Sequence, residues 1–132
     1  MLKVISLNNF FSLDVYCWFL GLQVISVEPG GDVTLPCSAG DDSIRAVEWT
    51  RTDLEPEYVL YYRDGRSDPT YQHPSFKGRV DLTDREMKDG NVSLVIKNVI
   101  ISDRGTYECR VLLYRYNLPT SILTGPGGST TQ

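Results

Sequence analysis

Apolar and polar residues alternate in short runs along this chain, and glycine, proline and aspartate divide the runs. A period of two marks a strand with one buried face, and helical spacing is weak throughout. The pattern predicts an all-β fold. Strands are expected at 22–28, 32–37, 45–52, 58–63, 79–83, 92–99 and 106–114, with a short last one at 120–124. Asp64-Gly65, after "YVLYYR", reads as a hairpin turn. The stretch 67–78 contains two prolines and reads as loop or weak edge strand. About nine strands result, a number suited to two packed sheets.

The same alternation assigns faces. Val33, Leu35 and Cys37 share one side, as do Val47, Trp49 and Arg51, then Val92, Leu94 and Ile96, then Tyr107, Cys109, Val111 and Leu113. Glu48, Thr50, Leu60, Tyr62, Glu108, Arg110, Leu112 and Tyr114 are expected on the other side, facing outward. The phase of 58–62 is open by one residue, so Tyr61 and Tyr62 can exchange roles. A bridge between the two inward cysteines, Cys37 and Cys109, would staple two sheets and close a loop of 72 residues. Such a closure contributes about 4 kcal/mol in the chain-entropy picture. It also requires an oxidising compartment.

Composition narrows the function more than the fold. The chain has 132 residues, one domain's worth, and a formal net charge of −4 with no basic stripe. Nucleic acid is therefore not an expected partner. One histidine, His73, and three scattered cysteines give no zinc site and no C-x-x-C. No cofactor and no small-molecule substrate are expected, and no nucleophile–base pair stands out, so the chain does not read as an enzyme. Residues 1–21 hold Lys3 and an apolar run at 15–22, and read as a leader segment of the export type. Asn8, Asn9 and Asp14 interrupt it, no A-x-A follows, and Cys17 within it has no evident partner. Residues 22–124 form the expected domain, and 125–132 a flexible tail of linker composition.

Cys37, Trp49 and Cys109, with "DRGTYEC" at 103–109, resemble the immunoglobulin superfamily. The wide cysteine spacing, with "YVLYYRDGR" inside it, resembles the variable (V-set) type with its two extra strands. "DVTLPCSA", "VEWTR", "SFKGRVDL", "KDGNVSLVIKNV" and "SDRGTYECRV" are similar to the outer domain of butyrophilins, myelin-oligodendrocyte glycoprotein and related T-cell costimulatory ligands. The resemblance implies a V-type β-sandwich. It implies a Cys37–Cys109 disulfide against a core Trp49, an Arg79–Asp103 salt bridge, and Tyr107 pinning a corner, with Gly105 freeing the turn. It also implies an extracellular glycoprotein, at the plasma membrane if part of a longer chain and otherwise secreted. A membrane anchor and a second domain are expected in a full-length form. The joining-segment Phe-Gly-x-Gly of antigen receptors has no counterpart in "NLPTSILTGPGGSTTQ".

Asn91-Val92-Ser93 is the one Asn-x-Ser/Thr triplet in the chain, so Asn91 is the expected glycosylation site. The expected partner surface is the outer side of the strands at 45–52, 58–63, 106–114 and 120–124, carrying the eight outward residues named above. Loop residues 39–45 and 114–119 crown one end and are expected to contribute. Three functions compete: a ligand engaging a lymphocyte receptor and regulating T-cell responses, a homophilic adhesion domain pairing through the same face, and a soluble antigen-recognition domain that binds through loops.

Overall fold

The computed structural model describes residues 2–11, 22–40 and 43–114. Within them the chain forms strands β1 (Leu2–Phe11), β2 (Leu22–Val27), β3 (Val33–Leu35), β4 (Ile44–Arg51), β5 (Leu60–Arg63), β6 (Arg66–Ser67), β7 (Val80–Leu82), β8 (Leu94–Ile96) and β9 (Gly105–Leu113). Short 3-10 turns at Pro74–Phe76, Lys88–Gly90 and Ile101–Asp103 are the described helical elements. Two sheets result, one in the order β2-β1-β9-β4-β5-β6 and one in the order β3-β8-β7. This is the expected all-β sandwich of two packed sheets.

Alternation drives the packing. β3 is buried at Val33 and Leu35 and exposed between them, and β8 is buried at Leu94 and Ile96 with Val95 half-buried between them. β4 and β9 send Val47, Trp49, Tyr107, Cys109 and Val111 into the same core, which Phe76, Leu82 and Val99 complete. The Trp49 indole N–H donates to the Val92 carbonyl across the sandwich at 2.9 Å. A buried indole keeps its polar atom satisfied in this way. Cys37 and Cys109 are joined, with their Cα atoms 6.6 Å apart.

The β5–β6 hairpin turns through Asp64 at φ 56° and Gly65 at φ 80°. Two consecutive positive angles define the type I′ turn that an Asp-Gly pair favours. Its register fixes the phase left open in the sequence. Val47 stands opposite Tyr62 and Trp49 opposite Leu60, whereas Glu48 stands opposite Tyr61. Cross-strand partners share a face. Leu60 and Tyr62 therefore follow Val47 and Trp49 inward, at 1% and 2% exposure, and are not outward residues. The Tyr62 hydroxyl lies 2.9 Å from the Gly65 carbonyl and 3.3 Å from that of Arg85, which satisfies it away from bulk water.

β1 lies between β2 and β9, antiparallel to the first and parallel to the second. Apolar alternation gives no strand at 2–11, yet β-forming residues such as Val4, Ile5, Phe10 and Phe11 are frequent there. The pairing with β9 shifts register between Leu7 and Phe10, across Asn8-Asn9. The last expected strand, 120–124, lies outside the described residues, as do residues 115–119 of the expected loop and Cys17. At the other loop, Ile44 already belongs to β4, and both Ile44 and Ala39 are buried.

Candidate functional site

Two groups of charged and aromatic side chains stand out, one at the base of the sandwich and one on the outer side of β4, β5 and β9. The base is built on the 3-10 turn before β9. Asp103 closes that turn, and its Oδ2 accepts the Ile100 N–H at 2.9 Å. The Arg79 guanidinium reaches the same carboxylate with two hydrogen bonds, 2.8 and 3.0 Å. This is the bidentate fork that makes an arginine–carboxylate pair strong. The Asp103 side chain is 2% exposed and that of Arg79 19%. The Tyr107 hydroxyl donates to the Asp103 carbonyl and locks the corner. Burial pushes the Tyr107 phenol up to about 12.

Arg51 joins this group, a role that pattern reading does not assign. Its guanidinium pairs with Asp53 at 2.7 Å and donates to the Ser102 carbonyl at 2.8 Å. Arg51 and Arg79 lie over the Phe76 ring at 6.0 and 5.5 Å from its centre. Phe76 meets Tyr107 edge to face at 6.2 Å. Gly105 is required here for closeness, not for a free turn. It opens β9 as ordinary strand, but a Cβ on it would stand 2.5 Å from Arg51 Cδ. His73 has a local duty as well, since its Nδ1 accepts the Ser75 N–H at the start of the turn Pro74–Phe76.

The outer face is laid out by the register of three strands. Glu48 on β4 stands opposite Tyr61 on β5 and Arg110 on β9, and Thr50 stands opposite Glu108. Arg110 approaches Glu48 at 3.7 Å and Glu108 at 3.9 Å. These are loose contacts, and the Arg110 side chain remains 45% exposed. Burial pushes the Glu48 carboxyl above its usual range, and the charge of Arg110 draws it partly back. Tyr58 and Tyr61 stack with ring centres 5.1 Å apart. Burial raises the Tyr58 phenol first, then the nearby charge of Glu48, which places the stack beside the carboxylate.

The structure brings together five of the eight outward candidates with some exposure: Glu48, Glu108 and Leu112 half-buried, Arg110 and Tyr114 exposed. Thr50 lies on the same face but is 9% exposed and presents little surface. Leu60 and Tyr62 belong to the core, and the aromatic surface they were expected to give comes from Tyr58 and Tyr61. Among the described residues no group of His, Cys, Asp or Glu has a metal-binding arrangement, and no helix is long and apolar enough to cross a membrane.

A family model described as the immunoglobulin V-set domain matches residues 22–125. Butyrophilin subfamily 1 member A1 from Homo sapiens is 35% identical over 83 residues, covering 61% of this chain and 16% of that protein. V-set domain containing T-cell activation inhibitor 1 from Mus musculus is 32% identical over 85 residues, covering 62% of this chain and 30% of that protein. The chain thus spans less than a third of the length of these relatives. The crystal structure of the human B7-H4 IgV-like domain aligns with a TM-score of 0.54 at 21% identity, covering 84% of this chain and 90% of that one.

Proposed function

This chain belongs to the immunoglobulin V-set family, and on that premise we propose that it is an extracellular binding module. Its outer β4–β5–β9 face engages a protein receptor on lymphocytes and so regulates T-cell responses. The observation that carries the reading is the row Tyr61–Glu48–Arg110, one residue from each of three paired strands, with Tyr58 stacked at its end. Aromatic and arginine side chains supply most of the binding energy at protein interfaces. Here they sit on paired strands, held by the backbone ladder, so little order has to be gained on contact. The mechanism is face-to-face docking without covalent chemistry. Similarity to butyrophilin and to a T-cell activation inhibitor supports a ligand role, and the disulfide agrees with an oxidising, extracellular setting.

The double variant Tyr61→Ala/Arg110→Ala tests this. Labelled variant should lose staining of lymphocytes by tenfold or more, on the order of 1.4 kcal/mol of binding or greater, while keeping its melting temperature. Undiminished staining would sink the reading. If staining is absent for the parent domain and sedimentation shows self-association that the variant abolishes, the same face serves homophilic adhesion instead.

A further inference from the structure

We infer that Asn91 is the acceptor of an N-linked glycan, and that the Cys37 segment, just past β3, closes this acceptor once the domain has folded. Asn91-Val92-Ser93 is the one triplet of its kind in the chain. It starts where the 3-10 turn Lys88–Gly90 ends and runs to the edge of β8. Asn91 is half-buried, and its Nδ2 makes one long, exposed contact of 3.4 Å to Thr83 Oγ1. An amide nitrogen carries two hydrogens. One can remain toward Thr83 while the other is replaced by sugar.

The rest of the triplet is engaged by the fold. Asn91 Oδ1 accepts the Ser93 N–H at 3.1 Å. Ser93 Oγ accepts the Cys37 N–H at 3.1 Å and lies 3.4 Å from the Cys37 carbonyl. Val92 has no exposed surface, donates its N–H to the Cys37 carbonyl at 3.0 Å, and accepts the Trp49 indole N–H. An enzyme reading these three residues as an extended peptide finds the serine hydroxyl and both backbone groups of Val92 already occupied. Transfer must therefore precede the docking of the Cys37 segment. In that transfer Asn91 Nδ2 attacks the anomeric carbon of a lipid-diphosphate-linked oligosaccharide. The C–N bond forms, the carbon–oxygen bond to the diphosphate breaks, the lipid diphosphate leaves with the electron pair, and one amide proton passes to the enzyme.

The disulfide sets the time available. Cys109 lies 18 residues after Asn91 in the chain. At synthesis rates of about 5–20 residues per second the bridge cannot form until about 1–4 s later. Acceptor use is thus a race between sugar transfer and the Cys37–Cys109 closure. Asn91 bridges to Ser38, beside the β3-β8-β7 sheet, whereas Glu48 and Arg110 belong to the other sheet. The glycan therefore leaves the face proposed above uncovered, a clause that rests on that proposal.

Two experiments test this separately from receptor binding. The full chain, produced in secreting cells behind a cleavable export leader, should show a glycosidase-sensitive mobility shift that Asn91→Gln and Ser93→Ala both remove and Ser93→Thr retains. Absence of any such shift, also when a reductant given to the cells delays the disulfide, overturns the acceptor assignment. In the second, unglycosylated refolded chain is incubated with oligosaccharyl transferase and lipid-linked donor, either oxidised or reduced. The reduced chain should be modified faster by more than about tenfold, because the folded triplet must first open locally. Equal rates overturn the closure.

Discussion

The base of the sandwich and its outer face use the same residue types in opposite ways. Both set an arginine against carboxylates beside tyrosines. At the base, Arg79 grips Asp103 with two bonds of 2.8 and 3.0 Å, and the carboxylate is almost wholly out of water. On the face, Arg110 stands 3.7 and 3.9 Å from its two glutamates and is 45% exposed. Short, forked and buried contacts hold the chain together. Longer contacts at a half-exposed guanidinium keep that side chain at the surface of the sheet. The difference is carried by geometry, since the composition of the two groups is nearly the same.

The sharpest way to break the comparison is to remove one partner at the base. Asp103→Ala removes the carboxylate from the Arg79 guanidinium, which keeps only the carbonyls of Ser75, Lys97 and Asn98, and takes the acceptor from the Ile100 N–H. It should cost about 3 kcal/mol of stability in denaturant titration. A loss as small as that of a surface pair would erase the distinction between the two regions.

Alkaline titration reads the base through a second residue. The Tyr107 phenol is held protonated up to about 12 by burial. An unfolded tyrosine ionises near 10. A folded value above the unfolded one means its stabilisation is complete below pH 10 and is lost as pH rises toward 12. That loss should approach about 2–3 kcal/mol, and Tyr107→Phe should flatten it. Equal pH slopes for parent and variant would remove Tyr107 as the cause.

Gly105→Ala should cost about 1–3 kcal/mol by crowding the Arg51 stem. Paired with Arg51→Ala, the added methyl should cost much less, a non-additivity that a double-mutant cycle measures. Smallest of all, Arg110→Ala should shift stability by no more than about 1 kcal/mol. A larger loss would make Arg110 a structural residue like Arg79.

Alternation in "SDRGTYECRV" turns Tyr107 and Cys109 inward, but the roles of Asp103 and Tyr107 at the base come from the family resemblance. Arg79 enters through the same resemblance. Arg51 is not legible as part of it. Its place follows from what lies across the sheet, namely Tyr107 opposite it and Gly105 beneath its stem. Gly105 itself is misread for the same reason, since sequence suggests freedom at a glycine and the structure needs absence of a side chain. On the face, β4 and β9 carry polar residues between apolar ones, and their phases are plain. β5 is a run of β-formers whose one polar residue, Arg63, sits at its hairpin end. Weighed as a face marker it would have put Tyr61 outward, and without that weight Leu60 and Tyr62 are assigned to the wrong face. Pairing with Val47 and Trp49 fixes that phase, and pairing is not written in the strand's own residues.

The row Tyr61–Glu48–Arg110 draws its members from positions far apart in the chain, gathered by the hydrogen-bond ladders of β4. No peptide cut from this sequence carries the row. An antibody raised against the native domain and blocking that face would recognise a conformational epitope, blind to the reduced, denatured chain on a blot. Serum raised against a linear peptide such as 104–113 would behave in the reverse way, meeting a strand whose alternate residues the fold has turned inward.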